Sequence, residues 1–312
     1  MYDNFAFPQF LKHGDRAVIV SPAGKIERHL VDEGKRCLES WGLNVTVSAN
    51  ACGEYATFSG TQEQRLADLQ QAMDADDVRL IFCSRGGYGA QHLVGRLDFA
   101  RFRHSPKWLV GFSDITALHQ CLQHEGFASL HAPMLKHLVE EPADDECSKA
   151  LHDILFGTAF DGTGQFSYTC EANALNHAGT AQGTLRGGNL AVSYGLRGTD
   201  YDIKPADGTV LFIEDVGEKP HAIERMVYNL RIGGVLHRLS GLIIGQFTEY
   251  VERQQLGKEL YGALADAVGD CQCPVCFGFP VGHVKRNLPM IEGAQVELSV
   301  ADDGVKLTFF RR

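Results

Sequence analysis

Ser113 stands in the run Lys107-Trp-Leu-Val-Gly-Phe-Ser-Asp-Ile-Thr-Ala-Leu-His119, where a short apolar stretch breaks at Gly111 and helical spacing begins at once. Ile115, Leu118 and Leu122 recur at three- and four-residue steps, which predicts a helix after Asp114 with its N-terminus beside the Ser113 hydroxyl. Free backbone N–H groups and partial positive charge at that end would stabilise an anion developing on a carbonyl under attack, so Ser113 is a candidate nucleophile. Serine is also a favoured helix N-cap, and Ile115 stands where the hydrolase elbow G-x-S-x-G carries its second glycine. A serine hydroxyl is a weak nucleophile by itself and needs a partner base.

Carboxylates and imidazoles offer that partnership further along. Glu214 and Asp215 leave an apolar strand in Leu211-Phe-Ile-Glu-Asp-Val-Gly-Glu218, a place where a partly desolvated acid can orient a histidine. They serve equally well as turn residues capping a helix that begins near Pro220. His283 follows Gly282 at another strand exit, Phe279-Pro-Val-Gly-His-Val-Lys-Arg-Asn-Leu-Pro-Met-Ile-Glu-Gly293. Imidazole suits proton transfer near neutrality, although the chain has thirteen histidines and only the position of His283 raises it above the rest.

Cys83-Ser-Arg-Gly-Gly-Tyr-Gly89 is glycine-rich directly after a strand. It has no Gly-Lys-Ser/Thr and does not match G-x-G-x-x-G, which disfavours a nucleotide site. Its backbone N–H groups could approach a substrate oxygen and Arg85 a carboxylate; a tight turn needing positive φ is the plain alternative. Arg186 is a second basic residue able to hold a substrate carboxylate. Cys271-Gln-Cys273-Pro-Val-Cys276 lacks a matching second pair and is weak as a zinc site. No metal and no cofactor are expected.

These residues must be held by a frame. From Arg16 to Pro133 short apolar strands (17–20, 44–48, 78–83, 108–110) alternate with amphipathic helices, the pattern of a parallel sheet flanked by helices. Thr61 with Gln64 forms a capping box for a helix through Met73. In such sheets sites gather at the carboxyl ends of the strands, where the loops 21–24, 84–89 and 111–114 emerge. The rhythm is lost over 136–180, expected as a linker or excursion. Beyond it come a strand over 209–213, a helix over 221–232, a strand over 241–245 and a β-rich close with Asp303-Gly304 as hairpin turn. The expected fold is α/β: an N-terminal parallel-sheet domain over 1–135 and a C-terminal β-rich α/β domain over 181–312.

A chain of 312 residues with 44% hydrophobic content can bury sizeable cores. A formal charge of −10, from 39 acidic and 29 basic residues, argues against nucleic acid or an anionic membrane as main partner. The N-terminus lacks the marks of a signal peptide, no apolar run is long enough to span a bilayer, and nine cysteines show no scaffold pattern. A cytoplasmic location with reduced thiols is therefore expected.

Taken together, Val20-Ser-Pro-Ala-Gly24, Ser84-Arg-Gly-Gly-Tyr-Gly89, Gly111-Phe-Ser-Asp114, Gly187-Gly-Asn-Leu190, Ile213-Glu-Asp215 and Gly282-His283 with Leu288-Pro289 resemble the LD-carboxypeptidase family of serine peptidases, the muramoyl-tetrapeptide carboxypeptidases, in the family's order and over nearly the whole chain. The resemblance implies Ser113 as nucleophile, His283 as general base and then acid, and Glu214 as the residue orienting His283. Asp215 is the competitor for that last role, and strand alternation lets only one of the two reach His283. It further implies an oxyanion hole from the backbone N–H of Asp114 with one from Gly86 or Gly87, and a homodimer.

The activity so implied is removal of the terminal D-alanine from a murein tetrapeptide, at the bond to the L-centre of diaminopimelate, during cell-wall recycling. Three rivals stand beside it. A microcin-immunity-like peptidase would cleave an acyl-sulfamoyl adenylate amide, a non-catalytic protein would bind the muropeptide in the same crevice, and a metal-dependent amidase would use Cys271–Cys276.

Overall fold

Residues 5–203, 208–251, 256–269 and 271–311 are described by the computed structural model. The chain forms two compact units, one running up to Phe160 and taking in Lys285–Gly293, the other comprising Asp161–Val284 and the chain from Ala294 onward.

The first unit is built as β-α repeats. Strands β1 (Arg16–Val20), β2 (Asn44–Val47), β3 (Val78–Cys83), β4 (Trp108–Gly111) and β5 (Ser129–His131) pair in parallel in the order β5-β4-β3-β1-β2. β1, β3 and β4 are almost wholly buried, as strands covered on both faces must be, and their branched apolar residues suit that setting. The connections are α1 (Arg28–Ser40), α2 (Gln62–Asp74) and α3 (Thr116–His124). The chain leaves α1 through Gly42 at φ +84°, and the Thr61–Gln64 capping box opens α2 as the sequence predicts.

The segment read as a linker is instead largely helical and stranded. α4 (Leu135–Glu140) and α5 (Glu146–Phe156) belong to the first unit, and the second begins just before β6 (Gln165–Cys170). The acidic run that looked like a break supplies the cap of α5: the Asp145 carboxylate accepts from the Cys147 and Ser148 N–H groups.

The second unit continues through β7 (Gly179–Asn189), α6 (Leu190–Gly195), β8 (Thr209–Val216), α7 (Pro220–Ile232), β9 (Leu239–Thr248), α8 (Leu260–Val268) and β10 (Val275–Phe277). The chain then lends β11 (Met290–Glu292) to the first unit, antiparallel to β5, and returns as the hairpin β12 (Gln295–Ala301) and β13 (Gly304–Phe310). The seven strands run β10-β9-β8-β7-β12-β13-β6, parallel from β7 to β10 and antiparallel beyond. Leu211, Ile213 and Ile244 pack with Ile223, Val227 and Leu264 of α7 and α8 in one core. The hairpin turn is displaced by one residue from expectation: Ala301 pairs Gly304, so Asp302-Asp303 make the turn.

Candidate active site

In the first unit β4 ends at Gly111, Phe112 stays extended at φ −151°, and Ser113 then adopts φ +64°, the left-handed region. That conformation costs a non-glycine residue about 1–3 kcal/mol and persists only where its surroundings enforce it. Ser113 opens a 3₁₀ turn through Ile115, and α3 follows from Thr116, one residue later than the spacing predicts. The N-cap positions of the turn and of α3 are held by Phe112 and Ile115, so the half-buried Ser113 is not itself the N-cap residue.

The glycine-rich loop lies against this elbow. A Cβ on Gly86 would stand 2.8 Å from Ser113 Cβ, 3.0 Å from its Oγ and 3.2 Å from the Asp114 nitrogen, so only glycine allows the approach. Gly87, exposed beside it, has φ +108°. Asp114 Oδ2 accepts from the Ala90 N–H at 2.7 Å. Burial pushes the Asp114 pKa up to about 6 against the opposing Ala90 bond and Arg65 charge. The exposed Arg85 donates to the Lys25 carbonyl at 3.0 Å.

Buried polar groups tie the 21–24 loop to the 84–89 loop, and sequence reading missed them. Ser21 Oγ lies 2.6 Å from Ser84 Oγ and donates to the Ala51 carbonyl at 2.7 Å. Arg65, 3% exposed, donates to the carbonyls of Pro22 at 2.7 Å and Gly89 at 2.8 Å, with its guanidinium 4.8 Å from the Phe58 ring centre. A cation on a helix gives no sequence sign that it serves loops on either side.

In the second unit the wholly buried Glu214 stands where the β8–β9 register shifts, between Ile213 and Asp215. An irregularity of this kind re-aims a side chain at a strand end. Glu214 Oε2 lies 2.8 Å from His283 Nδ1, and the imidazole is 19% exposed. Gly282, at φ +128°, admits this contact. Asp215 is engaged elsewhere, accepting from Asn189 Nδ2 at 2.9 Å, the Ala191 N–H at 2.8 Å and the Val216 N–H at 2.9 Å. Burial pushes its pKa up to about 6. Arg186 is buried within β7.

Cys271 and Cys273 are buried with their sulfurs 2.8 Å apart, and Cys271 donates to the Leu236 carbonyl. Among the described residues the one group of three potential ligands within 4.8 Å of one another is His137, Asp145 and Cys147. Its Asp145 is already occupied as the cap of α5 and partner of His137.

The LD-carboxypeptidase N-terminal domain pattern matches residues 18–132, and the LD-carboxypeptidase C-terminal domain pattern matches 182–298. The chain belongs to the LD-carboxypeptidase family. A relative from Bacillus subtilis named "Probable murein peptide carboxypeptidase" is 30% identical over 299 residues, 95% of this LD-carboxypeptidase and 92% of the relative. Among solved structures, muramoyltetrapeptide carboxypeptidase from Oxalobacter formigenes matches with a TM-score of 0.84 and 25% identity over 95% of this chain and all of that one (100%). The microcin C7 self-immunity protein MccF, solved with aspartyl sulfamoyl adenosine, shares the fold at a TM-score of 0.86 and 20% identity, over 98% of each chain. The mixed α/β architecture with two sheets is that of this family. No helix among the described residues is long and apolar enough to cross a membrane.

Proposed function

We propose that this LD-carboxypeptidase is a serine peptidase that releases the terminal D-alanine of murein tetrapeptides, hydrolysing its amide to the L-centre of diaminopimelate. Ser113 is the nucleophile, His283 the general base and then acid, and Glu214 the group that orients His283. The observation that carries the reading is the Glu214–His283 pair, a buried carboxylate 2.8 Å from Nδ1. A carboxylate accepting from Nδ1–H leaves the Nε2 lone pair to take the serine proton. The left-handed Ser113 beside Gly86 is the second support, since a strained serine with backbone N–H groups near it suits an elbow and its oxyanion hole.

In the proposed cycle His283 Nε2 removes the Ser113 proton as Oγ attacks the scissile carbonyl. The N–H of Asp114 and one from Gly86 or Gly87 hold the oxyanion. The imidazolium then protonates the departing D-alanine nitrogen, and water, deprotonated by His283, releases the acyl group from Ser113. Arg85 is the proposed contact for a substrate carboxylate. On the same reading the enzyme works in the cytoplasm as a homodimer on peptides recovered from the wall.

Incubation with L-Ala-D-Glu-diaminopimelate-D-Ala, followed by mass analysis, tests this: loss of one alanine is expected, abolished in Ser113→Ala. A parallel incubation with an acyl-sulfamoyl adenylate separates the MccF-like reading, to which the shared fold lends support. Peptide bound but never cleaved by the parent protein would leave only a binding role.

A further inference from the structure

A buried polar cluster beneath the elbow takes no part in the chemistry just described. His119 of α3, Ser129 of β5 and Glu292 of β11 are fully buried, and Gln123 is 5% exposed. His119 Nε2 lies 2.8 Å from the Gly111 carbonyl oxygen and Nδ1 lies 2.8 Å from Ser129 Oγ. A carbonyl can only accept, so Nε2 bears the proton and Nδ1 accepts from the Ser129 hydroxyl. Burial lowers the imidazole pKa to about 4, so the ring is neutral near pH 7 as this tautomer requires. Gln123 Nε2 donates to Glu292 Oε2, while Glu292 Oε1 stands 3.9 Å from His119 Nδ1.

The bonded carbonyl occupies a decisive place. Gly111 is the last residue of β4, two before Ser113, and its oxygen also accepts from the Ala132 N–H at 3.0 Å. Two donors thus fix one oxygen at the point where the backbone leaves the strand. Phe112, the single residue between, packs its ring 5.6 Å from that of His131. A left-handed serine needs such over-determination, and free hydroxyl geometry is worthless to catalysis if the backbone beneath it relaxes.

We propose that His119 is a positioning residue: by donating from Nε2 to the Gly111 carbonyl, with Ser129, Gln123 and Glu292 fixing its ring and surroundings, it holds Ser113 in the left-handed conformation. The inference rests on Ser113 being the nucleophile. It also gives β11 a task, because the chain just past His283 supplies the acid behind the elbow.

The test compares the full-length wild type with His119→Leu, His119→Gln and Ser129→Ala. It measures kcat and KM on the tetrapeptide, the rate at which a fluorophosphonate labels Ser113, and the thermal midpoint. His119→Leu is expected to lower kcat and labelling together by about 10–100-fold with KM within about twofold, since an ångström of misplacement costs up to about that much. His119→Gln, which keeps an N–H for Gly111, is expected to recover most of both rates. Where His119→Leu does not fold, Ser129→Ala carries the test: slowed labelling supports the inference and wild-type labelling overturns it. A folded His119→Leu with wild-type rates, or a fall confined to KM, also overturns it. Failure of the wild type to label at Ser113 would remove the nucleophile reading itself, and the inference with it.

Discussion

Gly282 lies so close to Glu214 that a Cβ at position 282 would stand 2.9 Å from Glu214 Cβ, 3.1 Å from its Oε2 and 3.0 Å from the Gln246 carbonyl oxygen. Its φ of +128° is itself strained for any residue with a side chain. Gly282→Ala is therefore expected to destabilise by roughly 1–3 kcal/mol and to push the His283 loop off its acid. The checks are a lowered thermal midpoint and a kcat at least about tenfold down with KM little changed.

Gly86 makes a different demand, because its φ is not positive and only space is at issue. A methyl there would press on Ser113 Cβ and Oγ at once. Gly86→Ala is expected to cost about 10²–10³ in kcat, the range for a lost oxyanion donor, and to destabilise by roughly 1–3 kcal/mol through overpacking, seen as a lowered thermal midpoint. An unchanged kcat would mean that the loop does not abut the reacting centre.

Much of the frame is legible in the chain because short-range physics writes it. The branched strands β1, β3 and β4, the Thr61–Gln64 capping box and Pro220 at the start of α7 each follow from local propensity and period. What escaped reading depends on distant partners. Gln123 and Glu292 meet across 169 residues, and β11 is a three-residue strand with no period to detect. Ser113 shows no sign of its left-handed backbone, because strain is imposed by surroundings and not encoded in a residue type. The acidic run before α5 misled for a similar reason: the same carboxylates that mark loops also cap helices.

The proposed mechanism gives the neighbours Glu214 and Asp215 different tasks, and substitution separates them. Glu214→Gln keeps the size but no longer draws the proton to Nδ1, and is expected to lower kcat by about 10³–10⁴ with a small stability change. Asp215 faces three donors, from Asn189, Ala191 and Val216, so Asp215→Asn must turn an NH₂ toward one of them. A cost of about 1–3 kcal/mol in stability is expected, with kcat within about tenfold of wild type. Steady-state kinetics beside thermal melts distinguish the two; equal kinetic losses would contradict the assignment of the acid to Glu214.

Asp114 makes stability depend on pH in a direction opposite to that of a salt-bridged acid. Its folded pKa, about 6, lies above the 3.8 of an unperturbed aspartate, so between these values the native state holds more protons than the unfolded chain. Stability from this group is fully present below about pH 4, declines as pH rises through about 6, and is level above; the total change is about 3 kcal/mol. Asp114→Asn keeps an oxygen to accept from Ala90 and has nothing to ionise. The mutant's thermal midpoint should therefore gain on the wild type as pH climbs from 4 to 6 and hold a constant lead above 7. Asp215, raised to a similar value, contributes equally to both proteins and cancels in the difference. A lead that does not change across this window would show that Asp114 is not held above its ordinary pKa.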